Sequence, residues 1–334
     1  MKILVTGGTG YIASHTAVEL LESNYEIILL DNLSNSKKEV VDKIKTITNK
    51  NFKFYKGDCA DKNILTKIFN ENKIDAVMHF AGFKAVGESV KNPLKYYNNN
   101  LISTITLLEV MNEYNCKKLV FSSSATVYGN PKTLPIKESF PLSTTNPYGT
   151  TKLMIENILN DVAKTDNNWS IAILRYFNPI GAHKSALIGE DPNDTPNNLM
   201  PYIVKVATKK LEYLNIFGND YNTKDGTGVR DYIHVIDLAK GHIKALELIN
   251  KQKGIDTYNL GTGKGYSVLE IVNTFMKVNN INIKYKIVDR RLGDIDACYA
   301  DPCYAKEKLD WEASLDIDDM CKDAYNFAMK QQEE

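Results

Sequence analysis

The chain opens on KILVTGGTGYIASHT, and no other stretch limits its fold as tightly. A short apolar run, a glycine turn and immediate helical spacing make a strand–turn–helix unit. Gly7 and Gly10 supply the G-x-x-G core of a dinucleotide loop, where missing side chains let backbone amides at a helix N-terminus approach a pyrophosphate. Ala13 stands at the third glycine position, where a methyl is tolerated. A lone glycine motif reads equally well as a structural turn. Here Asp31 closes the next apolar run, EIILLDN, about twenty residues further on. A carboxylate there accepts hydrogen bonds from the adenosine ribose and repels a 2′-phosphate. The pattern favours NAD, with Lys37 and Lys38 keeping NADP open as a minority option.

Strand-like and helix-like segments then alternate: ASHTAVELLES, EIILLDN, KKEVVDKIKTI, FKFYKGD, DAVMHFAG, KLVFSSS and SIAILRYFN. Apolar strands separated by amphipathic helices predict an α/β fold, a Rossmann-type doubly wound parallel sheet covered on both faces. From about Asn178 the rhythm weakens into loops such as GEDPNDTPNN and FGNDYNTKDGTG. Residues 1–177 are therefore expected to form the dinucleotide-binding domain. Residues 178–334 are expected to form a smaller α/β C-terminal substrate domain, with segments near 229–250 packing back on the first.

Composition removes other classes. The 334 residues carry 41 basic and 41 acidic side chains, which gives no support for a nucleic-acid or membrane-surface role. No apolar run approaches a membrane span, and the first apolar run is too short for a signal peptide. Five scattered cysteines without C-x-x-C read as reduced thiols in a cytoplasmic protein. The five histidines show no ligand spacing, so no metal is expected.

NPYGTTKLMIE places Asn146 as N-cap and Pro147 at the first helical position, with Tyr148 and Lys152 one turn apart on one face. Alone, the pair reads as a snorkelling lysine beside an amphipathic tyrosine. Beside a nicotinamide cofactor it reads as acid–base chemistry. An adjacent ammonium and a cationic nicotinamide would draw the phenol's pKa down from about 10, toward a useful base. FSSSATVYG offers the accompanying hydroxyl, Ser124 in first place, with Ser123 and Thr126 as rivals.

Together with HFAGFKAVGESV, LRYFNPIGAH, PNNLMPYI, IFGNDYNTKDGTGVRDYIHV and YNLGTG, these motifs resemble the extended short-chain dehydrogenase/reductase family, and within it the branch that inverts C4 of UDP-hexoses. The resemblance runs from KILVTGGTGYI to LDW at Leu309 to Trp311. It implies reversible interconversion of UDP-galactose and UDP-glucose, as in galactose metabolism, through a 4-keto sugar and transient reduction of tightly held NAD. Carried over by position, the NAD contacts fall on Gly7, Gly10, Tyr11, Ile12, Asp31, Asn32, Asn35, Ser36, Asp58, Cys59, Phe80, Ala81, Lys84, Asn99, Ser124, Tyr148, Lys152 and Phe177. The UDP-sugar contacts fall on Asn178, Asn198, Leu199, Asn215, Ile216, Phe217, Arg230, Arg291 and Asp294, shared with Lys84, Ser124 and Tyr148. The arginines suit a diphosphate, since a guanidinium presents a planar fork to its oxygens.

Cys298 stands where some relatives carry a bulky tyrosine facing the sugar C2 substituent. The resemblance thereby implies room for UDP-GlcNAc and UDP-GalNAc. Two rival readings fit the residues less well. A 4,6-dehydratase would need a carboxylate pair beside the active-site threonine, where this chain has SSATVYG; a silent NAD-sensing protein would often lack the tyrosine or lysine kept here. The family also implies a homodimer. ISTITLLEVM and LMIENIL carry more apolar residues than one buried face requires, enough for a four-helix interface.

Overall fold

The computed structural model describes residues 1–193, 198–291 and 294–333. Strands β1 (Lys2–Thr6), β2 (Glu26–Asp31), β3 (Lys53–Lys56), β4 (Ala76–His79), β5 (Lys118–Ser124) and β6 (Ser170–Tyr176) alternate with helices. These are α1 (Tyr11–Glu22), α2 (Glu39–Thr48), α3 (Lys62–Glu71), α4 (Val86–Lys91), α5 (Pro93–Glu113) and α6 (Pro147–Thr165). The strands are parallel, and their side chains alternate between two apolar layers. Ile3, Val5, Ile27 and Leu29 face α1 and its neighbours, while Leu4, Ile28 and Leu30 face α3, α5 and α6. Burial on both faces accounts for the unbroken apolar runs in the sequence.

The second half contributes β7 (Asn178–Ile180), α7 (Leu199–Ala207), β8 (Leu214–Phe217), β9 (Val229–His234), α8 (Val235–Lys251) and β10 (Gly254–Leu260). It continues through β11 (Gly265–Ser267), α9 (Val268–Asn279), β12 (Tyr285–Val288), β13 (Ala297–Cys298), α10 (Cys303–Leu309) and α11 (Ile317–Glu333). Two of these return to the large sheet. Helix α8 packs on α1, and β10 pairs in parallel with β6, giving the order β10-β6-β5-β4-β1-β2-β3. The rest forms a smaller α/β layer in which β7, β11 and β13 flank β9, and β12 pairs β8, over a core including Ile203, Ile216, Phe275 and Met320. The architecture is a Rossmann-type parallel sheet with a smaller C-terminal α/β unit.

Candidate active site

The strand order reverses between β1 and β4, and in doubly wound sheets ligands bind in the crevice at such a point. Gly7 makes the turn out of β1 at φ +66°, and a Cβ there would lie 2.9 Å from the backbone nitrogen of Ala81. Only glycine allows the two strand ends to approach so closely. Helix α1 begins on Gly10 with no side-chain cap and no acidic residue in its first turn. Its open amides and positive dipole end face a groove lined by Gly7, Gly10, Tyr11, Ile12, Asp31, Asn32, Asn35, Ser36, Asp58 and Cys59. Phe80, Ala81, Lys84, Asn99, Tyr148 and Lys152 line the same groove.

Asp31 is held rather than merely present. Its carboxylate accepts from the backbone N–H of Thr9 (3.1 Å) and Leu33 (2.8 Å) and from the Ser36 hydroxyl (3.0 Å). An anion-binding helix end with a fixed carboxylate nearby fits a dinucleotide: amides for pyrophosphate, an acceptor for ribose hydroxyls. Asn32 donates to Asp58 at 3.0 Å, bracing the same rim. The Cys59 thiol lies buried against the Ser103 carbonyl, and burial pushes its pKa up. Lys84 pairs with Glu190 at 3.0 Å.

Asn146 caps α6 through Gly149 N–H at 2.9 Å, with Pro147 at the first helical position. Tyr148 and Lys152 thus enter the groove from one helix face. Ser124 lowers the Tyr148 pKa, and its hydroxyl receives the Thr126 N–H at 3.2 Å. Ser123, one of the rivals, is turned away to Glu156, and Thr126 donates to Ser124.

The expected lowering of the Tyr148 pKa calls on the nicotinamide charge together with Lys152; among the protein's own groups, burial pushes the phenol above its ordinary value and Ser124 offsets part of that. The ammonium points to the Ser122 carbonyl at 2.6 Å and lies over the Phe121 ring. Its own pKa falls to about 8 through burial, opposed by Glu156. The sequence placed both groups on one helix face but could not show that Lys152 is buried and Tyr148 half-buried there.

A second groove of about 690 Å³ opens in the smaller layer. Asn178, Asn198, Leu199, Asn215, Ile216, Phe217, Arg230, Arg291 and Asp294 line it, with Tyr221, which sequence reasoning passed over. Alternation along β8 turns Asn215 and Phe217 outward, while the Ile216 side chain packs in the core. Arg291 donates to Asp294 at 2.9 Å, and Arg230 is fixed by the Ile295 carbonyl at 2.9 Å. Asn198 donates to Glu190 at 3.0 Å, so one carboxylate touches both Asn198 and Lys84. Leu292 and Gly293 of RRLGD, and Pro196 and Asn197 of PNNLMPYI, lie outside the described residues.

Ser124, Phe177 and Cys298 line neither groove directly. Phe177 and Cys298 pack in an apolar cluster with Val127, Tyr128, Ile136 and Ala300. Cys298 lies opposite Arg230 in the β13–β9 register, and burial pushes its thiol up to about 11. Sequence reasoning also missed Ser122, Glu156 and Arg175, although Glu156 lies one further helical turn beyond Lys152.

A plain dinucleotide fold has no need of a phenol and an ammonium converging on its cofactor groove with a hydroxyl beside the phenol. That convergence defines a short-chain dehydrogenase/reductase, and the arginine-bearing second groove belongs to the extended, nucleotide-sugar members of the class. The profile of the family described as GDP-mannose 4,6 dehydratase matches residues 4–324. The chain is 61% identical to the UDP-glucose 4-epimerase of Bacillus subtilis over 98% of its length and 96% of that protein's. It superposes on the UDP-glucose 4-epimerase of Bifidobacterium longum, solved with NAD⁺ and UDP, with a TM-score of 0.96, 53% identity and 99% of both chains covered. The UDP-Glc/GlcNAc 4-epimerase of Campylobacter jejuni aligns with a TM-score of 0.86 and 36% identity over 98% of this chain and 99% of that one. This chain belongs to the UDP-glucose 4-epimerase family.

Proposed function

We propose that the protein interconverts UDP-galactose and UDP-glucose by inverting the sugar C4, with NAD as resident cofactor. The observation that carries this is the Tyr148–Lys152 pair in the groove of an uncapped glycine-loop helix, with Ser124 beside the phenol and a second groove bearing two arginines. The α1 amides and Asp31 hold the dinucleotide, and Lys152 its nicotinamide ribose. Bound there, NAD supplies a nicotinamide that reversibly accepts hydride from C4. Tyr148 takes the proton of the 4-hydroxyl, assisted by Ser124, and leaves a 4-keto sugar. After the sugar turns in its pocket, the same phenol returns the proton to the 4-oxygen as hydride comes back to the opposite face of C4, so no net redox change occurs. Because burial raises the phenol's pKa, the positive charge of Lys152 and of the oxidised cofactor favours the phenolate only once the site is loaded. Arg230 and Arg291 grip the diphosphate, and Phe217 and Asn215 serve the uridine side.

Mixing the purified protein with UDP-galactose, without added NAD, and following the anomeric protons by NMR tests this reading. UDP-glucose should appear. Absence of conversion, or a 4-keto-6-deoxy product, would overturn it.

The division into 1–177 and 178–334, with residues 235–260 seated on the first unit, fits the two grooves. A cytoplasmic location accords with five free cysteines. No described helix is long and apolar enough to cross a membrane. Homodimerisation is supported by exposed apolar side chains on adjoining helices: Leu94, Ile102 and Ile105 of α5 and Met154 of α6. Sedimentation giving only monomer at micromolar concentration would remove that part. Breadth toward N-acetylated sugars rests on the small Cys298 side chain beside Phe177 and opposite Arg230. Cys298→Tyr should lose activity on UDP-GlcNAc and keep it on UDP-glucose, because a filled gap penalises the larger substituent. Equal activity of the variant on both pairs would exclude the role.

A further inference from the structure

Helix α6 presents a third functional-looking group after Tyr148 and Lys152. Glu156 follows at the same four-residue spacing, and each of the three is tied to one residue at the end of β5. The Ser124 hydroxyl lowers the Tyr148 pKa, Lys152 donates to the Ser122 carbonyl at 2.6 Å, and Glu156 accepts from the Ser123 hydroxyl. Glu156 is 2% exposed, and so is isolated from water. Arg175, itself 4% exposed, grips the carboxylate with two nitrogens, Nε at 3.1 Å and Nη2 at 2.6 Å. The remaining Arg175 nitrogen donates away from the pair, to the Tyr128 hydroxyl at 2.9 Å and the Glu138 carbonyl at 3.2 Å.

A buried ion pair of this kind is weak ground for stability, because desolvation consumes most of the Coulombic attraction. Its placement points elsewhere. Lys152 is a buried ammonium whose hydrogen-bond partner is the uncharged Ser122 carbonyl. From β4 it is faced by His79, which burial holds neutral with its pKa near 3. From β5 it meets the Phe121 ring, and on its own helix the neutral Tyr148. Near Tyr148, β6 contributes Tyr176, whose hydroxyl meets His242 of α8, a histidine lowered to about 4 by burial. Arg175, which grips the Glu156 carboxylate, also comes from β6. Glu156, one helical turn beyond Lys152 and bonded to the β5 residue next to the one that holds the lysine, raises the pKa of the ammonium.

We propose, on the footing that Lys152 serves the reaction as described above, that Glu156 is a positioning residue. Its carboxylate, clamped by Arg175 and Ser123, is the counter-charge that keeps the Lys152 ammonium charged and in register behind Tyr148. It touches neither substrate nor cofactor and acts through the lysine. The serine run at the end of β5 thereby has a use for every member: one hydroxyl for the phenol, one carbonyl for the ammonium, one hydroxyl for the carboxylate.

The test titrates the Lys152 side-chain nitrogen by ¹⁵N NMR in the holoenzyme, its signal assigned by loss in Lys152→Met. The alkaline limb of kcat is measured alongside. In Glu156→Gln both should move to lower pH by about one unit, the lower end of what a nearby opposite charge contributes. Glu156→Asp, which keeps the charge, should move them back toward wild type. Should Glu156→Gln fail to fold with Arg175 left unpaired, Glu156→Gln/Arg175→Met removes the pair together, and the shift should persist in the same direction. A melting temperature that falls while the Lys152 midpoint stays put would make Glu156 merely structural and overturn the proposal. Full activity of Lys152→Met would instead overturn the reading of Lys152 itself, whatever Glu156 does.

Discussion

Replacing the active-site lysine by an apolar residue should strengthen the fold while abolishing turnover. Lys152 is 5% exposed, and burial pulls its pKa from the ordinary 10.5 to about 8. At about 1.4 kcal/mol per unit, that displacement corresponds to roughly 3 kcal/mol spent on keeping the ammonium charged inside the protein. Lys152→Met removes the charge and keeps a similar apolar stem, at the loss of the Ser122 hydrogen bond and the contact with Phe121. A net gain of about 1–2 kcal/mol at neutral pH remains, a few degrees in Tm for a chain of this size. The sign with pH is distinctive. Between about 8 and 10.5 the unfolded wild type holds a proton that the folded state lacks, so its stability climbs across that window. Below pH 8 both states are protonated and the penalty is constant. Melting curves of NAD-stripped wild type and Lys152→Met should therefore be furthest apart below pH 8 and converge toward pH 10.5. A gap that does not change with pH would refute the account of Lys152 as a buried ammonium held at a cost.

Tyr148→Phe should leave bound NAD and Tm nearly unchanged, since the half-buried ring stays and one hydroxyl hydrogen bond is typically worth about 1 kcal/mol. Its kcat should fall about 10²–10⁴-fold, and turnover near wild type would mean the base is another group. Arg230→Ala and Arg291→Ala should each weaken UDP as a competitive inhibitor by about 1.5–3 kcal/mol, the value of a charge-assisted hydrogen bond. Retained UDP affinity with loss of NAD would reassign those arginines to the other ligand.

The parts of the site that were legible in the sequence are those made by neighbours in the chain. Gly7 and Gly10 announce a backbone approach, and Asn146 and Pro147 fix where α6 begins, so Tyr148 and Lys152 had to share a face. What escaped depends on partners far along the chain. Strand β10 reads as part of the loop-rich second half, yet its pairing with β6 makes it the edge of the large sheet. The elevated Tyr148 pKa follows from burial, a property of the assembled layers rather than of any motif. Glu156 is the instructive intermediate. Its place on the helix face was visible from spacing alone, but a carboxylate there reads as solvated until β6 delivers Arg175 and β5 delivers Ser123 to it. Helical spacing names the candidates on a face; strand register decides which of them are buried against a charge. In this fold the two meet at the end of β5, where three consecutive serines, unremarkable as sequence, each meet a different group of the same helix.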